Sequence, residues 1–127
     1  RFHQIQGINE LQVEDGVAHL WLDRPQRRNA FDAALVAGLT SAIDAVGGDS
    51  AVRVLVLGGR GAAFCAGADL EWMARQGASS HESNRDDALR LARLFEALDR
   101  CPKPTVARVH GACFGGGVGL VAACDVA

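Results

Sequence analysis

Val52-Arg53-Val54-Leu55-Val56-Leu57 runs straight into Gly58-Gly59-Arg60-Gly61-Ala62-Ala63-Phe64-Cys65-Ala66-Gly67-Ala68-Asp69-Leu70. The first six residues are short, β-branched and almost wholly apolar, the pattern of a strand buried on both faces. The glycines after them imply backbone that turns tightly or lets a ligand approach closely. The same order recurs downstream, where Thr105-Val106-Ala107-Arg108-Val109 reads as a short strand. It leads into His110-Gly111-Ala112-Cys113-Phe114-Gly115-Gly116-Gly117-Val118-Gly119. Nine of the 15 glycines fall in these two windows. Both windows lie at the carboxyl end of a predicted strand, where open α/β sheets hold their ligands. The function is therefore to be sought there.

The flanking segments fit the same class. Leu11 to Val13 and Val17 to Leu22 flank Asp15-Gly16, a strong hairpin signal. Asp23-Arg24-Pro25 stops the second strand, and a polar loop follows through Asn29. Asp32 can cap a helix whose apolar face is Leu35, Leu39, Ala42, Ile43 and Val46, ended by Gly47-Gly48. A short helix is expected over 70–75, a polar surface loop over 76–83, and a longer helix from Asn84 to Arg100. Cys101-Pro102-Lys103-Pro104 breaks that helix. Leu120 to Cys124 reads as an apolar helical segment, and Asp125-Val126-Ala127 as the start of a strand. The alternation of strands and helices makes the class α/β, with no internal repeat and no linker.

Composition narrows the function. The chain has 127 residues, 49% apolar and 22% charged, the balance of a globular domain or part of one. Thirteen basic against fifteen acidic residues leave a net charge of −2, which argues against nucleic acid as a partner. No apolar run approaches a membrane span or a secretory signal. The chain does not begin with Met, so it is expected to be part of something longer. The four cysteines form no C-x-x-C pair and read as buried reduced thiols of a cytoplasmic protein. The four histidines lack metal-ligand spacing, so no metal is expected.

Three chemistries compete for the glycine windows. Gly117-Val118-Gly119-Leu120-Val121-Ala122 fits a dinucleotide fingerprint, but it lies several residues past its strand, and no G-K-[ST] supports a nucleotide loop. A nucleophilic hydrolase has little to stand on. No serine lies in G-x-S-x-G, and Cys65, the one thiol beside the first window, has no histidine near it in sequence. The third reading uses both windows: two backbone N–H groups converge on a carbonyl oxygen that becomes negative in the transition state. Small residues at Ala66, Gly67 and Ala68, and again at Gly115, Gly116 and Gly117, suit that demand, and a helix starting at the second window would add its positive end.

The chain resembles the enoyl-CoA hydratase/isomerase (crotonase) family. The likeness rests on Leu22-Asp23-Arg24-Pro25 through Asn29-Ala30, on Phe64-Cys65-Ala66-Gly67-Ala68-Asp69-Leu70, and on Pro104-Thr105 through Gly111, Gly115-Gly116-Gly117 and Cys124-Asp125. It covers the chain from about residue 10 onward and corresponds to the amino-terminal half of a usual member. It implies a ββα spiral, with residues 1–127 as an incomplete core domain. It also implies an acyl-CoA thioester substrate, with coenzyme A as part of the substrate and no separate cofactor. By position, the Ala68 and Gly116 amides would form the oxyanion hole. Arg28, Ala30, Ala66, Asp69 and Leu70 would line the path of the coenzyme A arm. Asp69 could instead be a helix cap, and Arg28 a solvated surface charge. Phe114 and the segment Leu70 to Met73 would border the acyl pocket or be plain core, with Gly115 and Gly119 also at the substrate.

One departure bears on the reaction. Hydratases of the family usually carry a glutamate two residues after the triple glycine, where this chain has Gly119, and the second usual acid falls past Ala127. Hydratase (a lyase), isomerase and a non-catalytic coenzyme A-binding or assembly module all remain open, and these 127 residues by themselves are expected to be inactive. Gly115 to Leu120, with Glu71-Trp72-Met73, looks most like the methylglutaconyl-CoA hydratase-type branch. The family also implies a homotrimer or a dimer of trimers.

Overall fold

A computed structural model describes residues 2–5, 9–67, 69–78 and 80–127. Five strands form one sheet in the order β1 (Phe2–Ile5), β2 (Asn9–Glu14), β3 (Val17–Leu22), β4 (Val54–Gly59) and β5 (Thr105–Ala107). The first three are antiparallel, with β2 and β3 joined at Asp15-Gly16, where both residues have positive φ as a tight hairpin turn requires. β3, β4 and β5 are parallel, with Leu22 opposite Gly59 and Leu57 opposite Ala107. Their carboxyl ends therefore share one edge of the sheet, and both glycine windows leave from it.

Among the described residues a 3-10 turn, Pro25–Arg27, and four α-helices fill the connections: α1 (Ala33–Gly47) between β3 and β4, α2 (Leu70–Ala78) and α3 (His81–Asp99) between β4 and β5, and α4 (Gly116–Ala123) after β5. Asp32 caps α1, its side chain accepting the Leu35 N–H at 2.9 Å. The α1 face Leu35, Leu39, Ile43 packs with Leu20, Leu22, Leu55 and Leu57 of the sheet, Leu94 and Leu98 of α3, and Leu120 of α4, all in one core. That packing is the main stabilising term, at ~2 kcal/mol for each large side chain withdrawn from water.

Several expectations need correction. β4 starts at Val54, not Val52, and is not buried on both faces. Leu55 and Leu57 are buried, while Val54 and Val56 are half-exposed on a face that also carries His19 and Trp21. There the Arg60 guanidinium lies 4.1 Å over the Trp21 ring and pairs with Glu10 at 2.8 Å. The polar stretch expected as a loop over 76–83 is largely helical: α2 continues through Ala78, and α3 begins at His81, capped by Ser80. A tertiary bond, Asn84 Nδ2 donating to the Gln76 carbonyl at 2.7 Å, ties the two helices at this corner. α4 begins at Gly116 rather than Leu120, so the second window is itself the first turn of a helix. β5 stops at Ala107, and β1 was not anticipated at all. The end of the chain does return to the sheet, through a bridge between Val126 and Val106.

Candidate functional site

The loop after β3 is built around Asn29. Arg28 and Asn29 both take left-handed backbone, φ 53° and 56°, a conformation asparagine tolerates better than most residues. The Asn29 side chain is fully buried. Its Oδ1 accepts the Arg24 N–H at 2.8 Å, and its Nδ2 faces the carbonyls of Arg60 and Ala63 at 2.9 Å and of Phe64 at 3.2 Å. One side chain thus fastens the loop after β3 to the first glycine window.

Main-chain bonds continue the seam. Ala66 N–H donates to the Arg28 carbonyl at 3.0 Å, Phe31 N–H to Gly67 at 2.7 Å, and Asp69 N–H to Phe31 at 2.7 Å. Arg24 closes it from beneath. Its guanidinium donates to the Ala30 carbonyl and to Asp69 Oδ2 (3.3 Å), and lies 3.4 Å from Asp32 Oδ2. Arg24 is 9% exposed and Asp69 4%. Arg27 reaches within 3.9 Å of the same Asp69 oxygen.

The second window lies along the first. Phe64 N–H donates to the carbonyls of His110 and Ala112, and Phe114 N–H donates to Cys65 at 3.0 Å. Cys65 and Cys113 form a parallel bridge. At Gly67, φ is +87°, and a Cβ there would stand 3.1 Å from the Phe114 carbonyl oxygen and 3.7 Å from Gly115 Cα. At Gly117, a Cβ would stand 2.8 Å from the Cys65 carbonyl oxygen. The two windows approach so closely that side chains at these positions would separate them.

The expected site residues fall into distinct places. Ala68 lies outside the described residues. Gly116 opens α4, and Gly115 precedes it with φ 51°. Ala66 is half-buried, Ala30 is buried, and Arg28 is exposed at the rim. Leu70 is the first residue of α2. Asp69 is turned into the ion cluster with Arg24 rather than outward. Phe114 is 61% exposed, so it is not core. Gly119 faces α3, where a Cβ would stand 2.8 Å from Phe95 Cζ. Arg24 and Asn29 were not singled out in sequence as holding the site. The available signals were an asparagine inside a polar loop next to a strand-stopping Arg-Pro, and the place of both residues in the first stretch of the family likeness.

Cys65 and Cys124 are poor nucleophiles. Burial pushes Cys65 up to about 11, against a smaller opposing effect of a backbone hydrogen bond at Gly67. Its S–H lies 3.2 Å from the Asn29 carbonyl. Burial likewise raises Cys124 to about 11. Among the described residues no three His, Cys, Asp or Glu side chains gather to hold a metal ion, and no helix is long and apolar enough to cross a membrane.

Comparison with known proteins agrees with this architecture. The family model for enoyl-CoA hydratase/isomerase matches residues 12–127. A relative from Thermus thermophilus is 44% identical over 117 residues, which are 91% of this chain and 46% of that protein. The mitochondrial Δ3,5-Δ2,4-dienoyl-CoA isomerase of Mus musculus is 35% identical over 98% of this chain and 40% of its own length. The crystal structure of an enoyl-CoA hydratase from Shewanella pealeana superposes with a TM-score of 0.93 at 38% identity, covering 96% of this chain and 46% of that one. The chain thus spans less than half the length of these relatives. With a crotonase-type fold and a family match over almost its whole length, the chain belongs to the enoyl-CoA hydratase/isomerase family.

Proposed function

We propose that this chain supplies the thioester-binding part of an acyl-CoA enzyme whose reaction passes through an enolate. The N–H groups of Ala68 and Gly116 would hold the thioester oxygen. The observation that carries the reading is the seam between the windows: Gly67, next to Ala68, packs on Phe114–Gly115, next to Gly116. Gly116 also opens α4, where the first N–H groups of a helix have no intrahelical partner and the dipole is positive. As water adds to an α,β-unsaturated acyl-CoA, charge moves onto the carbonyl oxygen, and donors aimed at it stabilise that state more than the ground state. Losing one such donor costs about 3 kcal/mol of barrier.

Hydration of an α,β-unsaturated acyl-CoA is the first reading, and the names of several relatives support it. Isomerisation of the double bond is the second. Gly119 offers no carboxylate, and Phe95 occupies the space beside it. A non-catalytic acyl-CoA-binding module is the reading left if no turnover is found. In each case coenzyme A enters as part of the substrate, with exposed Arg28 at the rim of its path and Ala30, Ala66 and Leu70 along it, while Asp69 stays on Arg24. The working unit would be a trimer or a dimer of trimers, which the exposed Phe114 and Val118 favour. Solution scattering tests that assembly.

A crystal soak with acetoacetyl-CoA tests the site. The expected result is the thioester oxygen within hydrogen-bond distance of both amides. A ligand bound with that oxygen elsewhere would refute the oxyanion-hole reading.

A further inference from the structure

We infer that Arg24 is a positioning residue of the thioester-oxygen site, its buried guanidinium fixing Asp69, the residue that follows Ala68 in sequence. The inference rests on the reading of the Ala68 and Gly116 amides given above.

Arg24 is a poor choice for stability alone. A buried ion pair loses much of its Coulombic gain to desolvation and is often replaced by apolar side chains without loss. This guanidinium nevertheless joins three separate pieces of chain. It donates to the Ala30 carbonyl in the loop, approaches Asp32 at the cap of α1, and donates to Asp69 at the head of α2. The Arg24 backbone N–H is held in turn by Asn29 Oδ1. Asp69 is therefore held twice, by its side chain through Arg24 and by its N–H through the Phe31 carbonyl.

The need for such a hold follows from the residues before it. Gly67, the described residue before Ala68 in sequence, has left-handed backbone and no side chain to anchor it, and Asp69 is the described residue after it. The Gly67 end is set by its carbonyl, which accepts the Phe31 N–H at 2.7 Å. The other end is Asp69. An oxyanion donor must keep its aim within about 0.5 Å, and a displacement of 1 Å can cost roughly 100-fold in rate. Asp69, with 4% exposure and its carboxylate on Arg24, serves as the fixed end.

The test uses the full-length protein with R24K, R24M and the double variant R24M/D69N. R24M alone takes the guanidinium away from the buried Asp69 carboxylate and from Asp32 and is expected to unfold readily, so the double variant, which also neutralises position 69, carries the comparison. Thermal melting, kcat and KM on a 2-enoyl-CoA, and the ultraviolet enolate band of bound acetoacetyl-CoA are read together. The expected result for R24M/D69N is a melting temperature near wild type, KM within about 3-fold, kcat down roughly 10- to 100-fold and a lost enolate band. R24K keeps the charge but not the fork, so an intermediate kcat is expected. A folded double variant with wild-type kcat and enolate band would overturn the inference while leaving the oxyanion hole standing. If the double variant does not fold, R24K decides, and wild-type kcat in it overturns the inference. A wild-type protein that binds acetoacetyl-CoA without perturbing that band, and shows no turnover, would overturn the oxyanion-hole reading itself and the inference with it.

Discussion

Replacing Asn29 with alanine removes the side-chain amide that fastens the loop after β3 to the carbonyls of Arg60, Ala63 and Phe64 in the first glycine window. The Arg24 N–H loses its acceptor at 2.8 Å, and the carbonyls of Arg60, Ala63 and Phe64 lose the donor they share. A buried N–H left unpaired costs ~1–3 kcal/mol, and the deserted carbonyls add a similar amount. Alanine must also hold φ near 56°, which costs a residue with a Cβ about 1 kcal/mol. Together the loss is roughly 4 kcal/mol, a large share of the ~5–15 kcal/mol that holds a domain folded. With a urea slope near ~2 kcal/mol per molar, the midpoint of unfolding falls by about 2 M. N29G provides an internal control, because glycine loses the same hydrogen bonds but carries no left-handed penalty. N29G should therefore be about 1 kcal/mol more stable than N29A, the reverse of the usual order of these residues. Urea titrations followed by Trp fluorescence measure both variants. A loss under about 1 kcal/mol for N29A, or N29A at least as stable as N29G, would refute the reasoning.

Other substitutions test separate links. D32A removes the cap of α1, where the Leu35 N–H donates to Oδ1 at 2.9 Å, together with one carboxylate beside Arg24. It should cost at least ~1 kcal/mol, seen as a lower melting temperature. Cys65, pushed up to about 11 in the folded state, holds its proton more tightly there than in the unfolded chain. Its contribution is therefore intact below pH 9 and lost as pH rises toward 11, by roughly 2–3 kcal/mol. Urea midpoints should fall across that window, and C65A should flatten the fall. At the α3–α4 contact, G119A pushes a Cβ to within 2.8 Å of the Phe95 ring and should destabilise by ~1–3 kcal/mol. The F95A/G119A double variant should lose less than the two single variants added together, and strict additivity would show that the two residues do not touch.

Local chemistry made much of the fold legible. Asp15-Gly16 admits few turns, Asp32 offers an oxygen where helix N–H groups lack partners, and Pro102 cannot continue a helix. All three act where the sequence indicates. The misreadings lie where tertiary contacts outvote composition. Gln76 and Gly77 read as loop, yet they sit in α2, with Asn84 of α3 bonded to the Gln76 carbonyl. The apolar helical segment was expected from Leu120, yet α4 already begins at Gly116, and Gly117 fits against Cys65 only when nothing projects from it. β1 carries weak alternation and owes its pairing to β2.

The candidate site was legible as a spacing but not as a set of attachments. Glycine counts say that two stretches need closeness; they do not say what brings the stretches together. Here the holders are Arg24, 45 residues from Asp69, and Asn29, some 35 residues from Phe64. Topology explains why these residues meet. β3 and β4 run parallel with Leu22 opposite Gly59, so both chains leave the sheet at the same edge and at the same level. Arg24 and Asn29 lie a few residues past one exit, and Phe64 and Asp69 a few past the other. Once the parallel pairing is known, a buried polar residue just after one strand has the loop after its neighbour as its nearest source of partners. Arg24-Pro25, read in sequence as the end of a strand and as part of the family likeness, is also where the anchor of the first window must begin.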